Sequence, residues 1–334
     1  MRAFVLGLVG LFGSVGCGAA DVVPPKAADG ILHTATLEGK TYHLYRDGRL
    51  YEVRPEGWIP GPAVFDPEIV RRSYRSENGV TSRLSDEGKA YPVRRRFDAD
   101  FRNLPSGEGG VRTLIGPQRG WTELTLQTPK TPSVPDYVKL RQGILAGTGK
   151  FLDARIESAE GGLRFECPPR LPDMVCTKAS ISTGLVYFLD GDEFWYQADY
   201  RIEGPTRPLT LVDLESDLLL ESAGIRVMLF PDGDVGAELK ALNKPKFRQN
   251  AETRQAFPTD RWVRLTWAVK LGVPGRVRIW QDRQLVVDQP GQTIPFRTAI
   301  MNSLEVGISA HDSTENAATV VVRNLRVSDQ EIAR

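Results

Sequence analysis

The sequence FWYQADYRI at residues 194–202 opens a stretch of four short runs that decides the fold. The other runs are TLVDLESD (210–217), IRVMLF (225–230) and VGAELKA (235–241), and Gly, Pro and Asp residues separate them. Runs of this length between turn residues indicate adjacent antiparallel strands. Because successive side chains of a strand point to opposite faces, each run sorts into an apolar and a polar face. We therefore predict a sheet that packs on a core and offers a polar, partly aromatic concave surface.

The polar side of these runs supplies the candidate site. Its members are Trp195, Gln197, Asp199, Arg201, Asp213, Glu215, Asp217, Glu238 and Lys240. For Trp195 two interpretations stand side by side: a platform that stacks on a sugar ring, or packing at the rim of the sheet. The acids have a plain structural interpretation as well, in which they pair with Lys240, Arg226 or Arg201 in a solvated salt network.

The composition gives no overall charge preference. The chain has 43 Lys and Arg against 42 Asp and Glu, so its net charge is close to zero. A near-neutral chain has no electrostatic reason to bind nucleic acid, or an anionic membrane surface, as a whole molecule. We expect a monomer with no nucleic-acid partner, in which local patches carry any charge-based binding.

The first residues predict export. MRAFVLGLVGLFGSVG has one early Arg and an apolar run that is too short to span a membrane. Ser14-Val15-Gly16-Cys17 resembles a bacterial lipoprotein signal box, in which the Cys is lipidated, and cleavage after Ala20 is the alternative. Both predict a signal peptide at 1–20 and a tether at 21–30. The first adds a lipid anchor at Cys17, which would be the only membrane contact and would hold the protein in the cell envelope at the outer membrane.

The remaining cysteines, Cys167 and Cys176, form a pair nine positions apart. In an oxidising compartment such a pair is more often a disulfide than a metal site. No His lies nearby and no second Cys pair exists, so we predict a disulfide and no metal ligation by these residues.

The rest of the chain indicates an all-β protein. Residues 31–97 alternate around Asp47-Gly48 and predict a small β-rich module, and 98–110, which ends in PSGEGG, predicts a linker. From residue 151 onward about eleven strand-like runs follow one another without helices between them. That pattern predicts two stacked antiparallel sheets or a barrel over residues 111–330. The best helical candidate is DYVKLRQGILA at 136–146.

Several segments resemble the concanavalin A-like jelly-roll domain of a polysaccharide-lyase-like family, related in fold to heparin lyase I and alginate lyases. They include WTELTLQTP, GDEFWYQADYRI, FPTDRWVRLTW, VRIWQDRQLVV and VVVRNLRVS. The resemblance covers residues 121–327, about three fifths of the chain. It implies an all-β jelly-roll sandwich of two antiparallel sheets and a polysaccharide partner.

The resemblance also implies β-elimination on an acidic polysaccharide. That chemistry needs a group that neutralises the uronate carboxylate, a base and an acid. The Gln-x-His and Arg-x-Glu-x-Arg strands of alginate lyases are both missing here, which favours a non-catalytic glycan-binding or envelope-adhesion module as the alternative. If the protein is an enzyme, the candidate catalytic residues are Gln197 as neutraliser and Lys240 or Lys178 as base. The candidate substrate-binding residues are Trp195, Arg201, Asp213, Glu215 and Glu238.

The acids raise two further hypotheses. Like charges a few Å apart cost about 1 to 4 kcal/mol, so a uronate over these acids requires Lys178, Lys240, Arg201 or a bound cation such as Ca²⁺. Alternate residues on one strand face are about 6.5 to 7 Å apart, within the range of glycosidase carboxylate pairs. Asp213, Glu215 and Asp217 therefore also support a glycoside hydrolase.

Overall fold

The computed structural model describes residues 31–37, 40–45, 50–54, 57–60, 74–77, 80–84, 89–107, 110–111, 113–116, 119–127, 139–141, 155–167, 178–204, 208–216, 223–240, 245–252, 254–295, 299–311 and 317–333. The chain divides into two compact units, residues 1–68 and 69–334. Residues 1–30, which hold the predicted signal peptide, Cys17 and tether, lie outside the described ranges.

None of the described residues belongs to a helix with the length and apolar character that crossing a membrane requires.

The first unit contains a four-stranded antiparallel meander. Its strands are β1 (Ile31–Leu37), β2 (Lys40–Tyr45), β3 (Leu50–Arg54) and β4 (Gly57–Pro60), paired in that order. β2 and β3 flank Asp47-Gly48 and pair antiparallel, as the alternation around that dipeptide predicts.

The second unit begins with a small sheet and a strand that joins the main sandwich. β5 (Tyr74–Glu77), β6 (Val80–Leu84) and β7 (Ala90–Pro92) form a three-stranded antiparallel sheet. β8 (Phe97–Ala99) pairs with a strand near the C-terminus, along Leu325, Arg326 and Val327. The described residues from 74 to 110 therefore belong to the same unit as the sandwich, whereas the sequence predicts a module that ends at residue 97 and a linker after it.

The strands that follow build two sheets. In chain order they are β9 (Glu123–Gln127), β10 (Lys139–Arg141), β11 (Arg155–Ala159), β12 (Gly162–Cys167), β13 (Lys178–Thr183), β14 (Glu193–Glu203), β15 (Leu209–Glu215), β16 (Gly224–Leu229), β17 (Val235–Lys240), β18 (Lys246–Phe247), β19 (Val263–Lys270), β20 (Gly275–Gln281), β21 (Gln284–Gly291), β22 (Ser303–His311) and β23 (Ala318–Ser328). The front sheet has the order β10-β9-β13-β22-β15-β16-β17-β18. The back sheet has the order β11-β12-β23-β14-β19-β20-β21, with β8 also paired to β23.

The chain crosses repeatedly between the two sheets. It passes from β13 in the front sheet to β14 in the back sheet and returns to β15 in the front sheet. It crosses again between β18 and β19, and from β21 through β22 to β23. Antiparallel strands that alternate between two packed sheets define a jelly roll. The predicted all-β, concanavalin A-like jelly-roll sandwich is confirmed.

The core lies between the two sheets and takes the apolar face of every long strand. On β14 the inward residues Phe194, Tyr196, Ala198, Tyr200 and Ile202 are buried, as the alternation predicts. The hydroxyls of Tyr196 and Tyr200 lie 2.7 Å apart and satisfy each other inside the core. Each strand therefore turns its polar side chains away from the core.

The helical candidate at 136–146 is wrong at its centre. Residues 139–141 form β10, which pairs with β9 through Lys139, Leu140 and Arg141. A strand at the edge of the sheet gains backbone hydrogen bonds there, and this long-range pairing overrides the local helical spacing.

The disulfide stays a prediction. Cys167 ends β12 and is buried, and Cys176 lies outside the described residues.

Candidate functional site

A row of charged side chains crosses the outer side of the front sheet. In register, the row runs through Glu305, Asp213, Arg226, Glu238 and Lys246, on β22, β15, β16, β17 and β18. Neighbouring strands are about 4.8 Å apart, so four gaps give the row a length of roughly 19 Å. We use the name "front face" for this row together with Lys178, Ser180, Ser309, Glu215 and Lys240.

At one end of the front face, hydrogen-bond donors surround Glu305. Lys178 Nζ lies 3.2 and 3.0 Å from its two carboxylate oxygens. Ser180 Oγ donates to Oε1, and Ser309 Oγ lies 3.2 Å from Oε2. Ser309 also donates to Asp213 Oδ2, so a single hydroxyl lies between two carboxylates. This end is therefore a buried polar network rather than an isolated ion pair.

In the middle, one ammonium group serves two acids. Lys240 Nζ contacts Glu215 Oε1 and lies 3.3 Å from Asp213 Oδ1. The pairing follows from register, since Gly224 of β16 lies between Glu215 and Lys240 and has no side chain to separate them. Lys240 thus offsets the repulsion between two carboxylates of the same strand face.

At the other end, Glu238 is the shared partner. Arg226 Nη2 donates to Glu238 Oε1 at 2.6 Å, and Lys246 Nζ lies 3.6 Å from Oε2. The short guanidinium–carboxylate bond is charge-assisted, which makes it one of the stronger contacts of the face.

The carboxylates lie beneath the cations. The Asp213 side chain is 1% exposed, whereas that of Lys240 is 23% exposed and that of Lys246 is 53% exposed. Burial alone would raise the pKa of Asp213, but the charges of Lys240, Arg226 and Lys178 and the Ser309 hydrogen bond hold that pKa below its usual value. Asp213 is therefore ionised at neutral pH, and solvent meets ammonium and guanidinium groups first.

Three of the carboxylates stand close enough to share a cation. Oxygen atoms of Asp213, Glu215 and Glu305 lie within 4.8 Å of one another. Carboxylate oxygens are suitable ligands for Ca²⁺, the alternative that the sequence left open. Here the Lys240 ammonium contacts both Asp213 and Glu215. A Ca²⁺ ion would have to displace that ammonium to bind between them.

The front face brings together five of the residues that the sequence singled out. They are Lys178, Asp213, Glu215, Glu238 and Lys240, on β13, β15 and β17. The acids pair with Lys240 and Arg226, as the structural interpretation predicts. The network is not solvated as predicted, because the carboxylates of Asp213, Glu215 and Glu238 are buried. Asp217, the third acid of the hydrolase hypothesis, lies outside the described residues.

The prediction that Trp195, Gln197 and Arg201 share this surface is wrong. They lie on β14, which pairs with β19 and β23 in the back sheet rather than with β15. Gln197 donates to Thr266 Oγ1 at 3.0 Å, and Arg201 pairs with Glu160 and Glu203. Gln197 and Lys240 therefore belong to different sheets and cannot act as neutraliser and base on one sugar residue.

Trp195 is not a sugar platform in this structure. Its side chain stacks on Trp280 with 5.7 Å between ring centroids and is packed with Ala268 and Ile332. Its exposure is 1%, so no ring face is accessible to a ligand. The packing interpretation of Trp195 is the correct one.

Sequence reasoning missed Glu305 and Ser309. Both lie on β22, where Ser303, Glu305, Gly307 and Ser309 alternate with Leu304, Val306 and Ile308. That alternation was visible, but β22 follows β15 by about ninety residues, and no local signal makes the two strands neighbours. His311 ends the same strand and is buried.

No protein-family model matches the sequence, and no curated protein matches it. Among solved structures, the chain is similar to the alginate lyase Aly36B, with 11% identity, a TM-score of 0.46, and coverage of 72% of this chain and 100% of that one. The chain is also similar to an endo-β-1,4-glucuronan lyase from the fungus Trichoderma reesei, with 10% identity, a TM-score of 0.42, and coverage of 63% of this chain and 91% of that one. For a carbohydrate-binding module from Bacillus subtilis the identity is 15% and the TM-score 0.35, with coverage of 53% of this chain and 92% of that one.

The fold thus has a distant resemblance to polysaccharide lyases and carbohydrate-binding modules. At these identities and TM-scores the likeness says nothing about activity. The chemistry of this chain has to be inferred from its own side chains.

Proposed function

We propose that the protein binds an acidic polysaccharide along the front face and holds it without cleaving it. The observation that carries the proposal is the layering of charge. Lys178, Arg226, Lys240 and Lys246 are the accessible groups, and the carboxylates that fix them lie underneath. An anionic ligand would therefore meet cations first.

This layering removes the repulsion that the sequence predicts between a uronate group and the acids of the sheet. Asp213, Glu215 and Glu238 had been expected to repel a uronate group. As buried partners of the cations they instead hold ammonium and guanidinium groups in fixed positions, which lowers the entropy cost of binding. A row of roughly 19 Å fits an extended chain better than a single sugar.

The same contacts speak against cleavage. β-Elimination needs a base that can reach the sugar and take its proton, and the amines of Lys178 and Lys240 are instead held by carboxylates of the sheet. A hydrolase needs one carboxylic acid that keeps its proton, and the pKa of Asp213 is lowered instead.

Incubation with alginate, polygalacturonate and a neutral β-glucan tests the proposal. We expect both acidic polymers to retain the protein in affinity electrophoresis, the neutral polymer not to retain it, and no new chain ends. Unsaturated ends would establish a lyase instead, and reducing ends without unsaturation a hydrolase. Equal retention by the neutral glucan would contradict the role of the cations.

We also propose that the protein is exported and anchored through Cys17. The support is the signal-like sequence at residues 1–20. Mass spectrometry of the mature N-terminus tests it. A lipidated Cys17 is the expected result, and a chain that starts after Ala20 would contradict the anchor but not the export.

A further inference from the structure

A polar cavity lies on the outer side of the back sheet, which is the sheet opposite the front face. Its volume is about 440 Å³, within the range of small-molecule sites. Its lining includes Arg102, Arg264, Arg326, Gln197, Asn324 and Asp98. We use the name "outer cleft" for this cavity. Because the residues come from β8, β14, β19 and β23 and from the segment after β8, the cleft is built by the fold rather than by one loop.

A β-bulge on β23 shapes the outer cleft. Gln197 lies opposite Arg326 and Asp199 lies opposite Arg323, so two residues of β23 face the single residue between them on β14. The bulge places Asn324 in the left-handed region, at φ 53°, a conformation that Asn tolerates better than most residues. As a result Arg323 and Asn324 both escape the core, while Leu325 stays buried. Bulges of this kind re-aim side chains beside binding sites.

The outer cleft retains hydrogen-bonding capacity that its own residues do not use. Arg264 gives Nε and Nη2 to Asp199, at 2.7 and 3.2 Å, and Nη1 has no partner among the described residues. The closest acid to Arg326 is Asp98, at 3.9 Å, and the Arg326 side chain is 55% exposed. The cleft therefore offers guanidinium donors that are held by the sheet and open to a ligand.

Two amide oxygens complement these donors. Gln197 is buried and uses its Nε2 on Thr266 and on the Ala333 carbonyl, while its Oε1 accepts no hydrogen bond from the described part of the chain. Asn324 Nδ2 donates to Asp199 at 2.7 Å, and Asn324 Oδ1 likewise accepts no hydrogen bond from the described residues. A ligand that fits must present an anionic group to arginine and hydroxyl donors to these oxygens.

We propose that the outer cleft binds one carboxylate-bearing sugar residue, a uronic acid or the acidic end of a short oligosaccharide. Its carboxylate pairs with Arg264 and Arg326, and its hydroxyls donate to Gln197 and Asn324. An inorganic phosphate or a simple carboxylate satisfies the guanidinium groups but offers few or no donors to the two amide oxygens. Arg102 of the lining is paired with Asp100, so Arg264 and Arg326 are the arginines that would hold the anion.

Calorimetric titration with glucuronate tests the proposal, with glucose and acetate as comparison ligands. We expect saturable binding of glucuronate that glucose and acetate do not match. Arg326→Gln removes an exposed charge, keeps the fold, and should weaken glucuronate binding about tenfold, the loss expected for one charge-assisted hydrogen bond. Asn324→Gly keeps the left-handed backbone and should weaken binding by a smaller factor.

Arg276→Gln, at 52% exposure and outside the lining of the outer cleft, is the matched control for Arg326 and should leave glucuronate binding unchanged. Absence of saturable binding, equal binding of glucose or acetate, or an unaltered Arg326→Gln variant would each overturn the proposal. Polysaccharide retention on the front face is a separate readout, so either binding site can fail while the other stands.

Discussion

The front face and the outer side of the back sheet are both polar surfaces of antiparallel sheets, yet they arrange charge differently. On the front face carboxylates from two strands converge, with Asp213, Glu215 and Glu305 within 4.8 Å of one another. On the back sheet Glu160, Glu166 and Glu203 also gather around arginines, Arg164 and Arg201, but their side chains are 26 to 43% exposed. Converging like charges cost stability unless cations are fixed among them. Because the front-face carboxylates are buried and those of the back sheet are partly exposed, the front-face cluster depends more strongly on its cations.

The largest expected difference between the two surfaces is in stability. Asp213→Asn removes a buried charge on which Lys240 and Ser309 depend, so we expect unfolding free energy to fall by about 3 kcal/mol. Asp288→Asn breaks an ion pair with Arg276 at the solvent surface and should cost less than about 1 kcal/mol. Denaturant unfolding of both variants measures the contrast. Similar losses for the two would mean that the front-face network is no more coupled than an ordinary surface pair.

The second largest effect concerns the stack of Trp195 on Trp280 on the back sheet. Other side chains cover this stack, whereas the cations of the front face are accessible to solvent. Ile332 packs against Trp195 and Trp280. Ile332→Ala should destabilise the protein by about 2 kcal/mol and shift tryptophan fluorescence to longer wavelength, because water reaches the rings. Gln330→Ala, at an exposed neighbour, is the control. If both variants change stability and fluorescence equally, Ile332 does not shield the two tryptophan rings from water.

A smaller effect is expected in the dependence of stability on pH. The pKa of Asp213 in the folded protein is below its usual value. Its contribution is therefore complete above the unfolded carboxyl pKa of about 3.9 and is lost as pH falls from there through the folded pKa. The stabilities of the wild type and Asp213→Asn should converge below about pH 4. A gap that stays constant from pH 7 to pH 3 would show that the charge of Asp213 is not its source.

The same two surfaces show which features of the fold could be predicted from the sequence and which could not. Consecutive runs with short connections, β15, β16 and β17, were predicted as neighbours because hairpin partners are close in sequence. Alternation also separated inward from outward side chains on β14. It does not report which of two sheets a strand joins, since that depends on pairing with β19 and β23, far along the chain. For this reason Gln197 and Trp195 were placed on the wrong surface.

The same limit explains Glu305. Its strand has a visible polar side, but its neighbour β15 is set by a crossover between sheets that no turn residue encodes. The cations lie above the carboxylates because their side chains are longer and less buried. Alternation predicts the face on which a side chain lies but not its depth on that face.

The most direct test compares the affinity of an acidic polysaccharide for two double variants that each remove two positive charges. On the front face, Lys178→Gln is combined with Lys246→Gln; on the back sheet, Lys270→Gln is combined with Arg276→Gln, whose side chain at 52% exposure matches Lys246 at 53%. Measured by calorimetry against alginate in low salt, the front pair should weaken binding by about tenfold or more, since two charge-assisted contacts are lost. The back pair should change the affinity less than about twofold. Equal losses for the two pairs, or a larger loss for the back pair, would contradict binding on the front face.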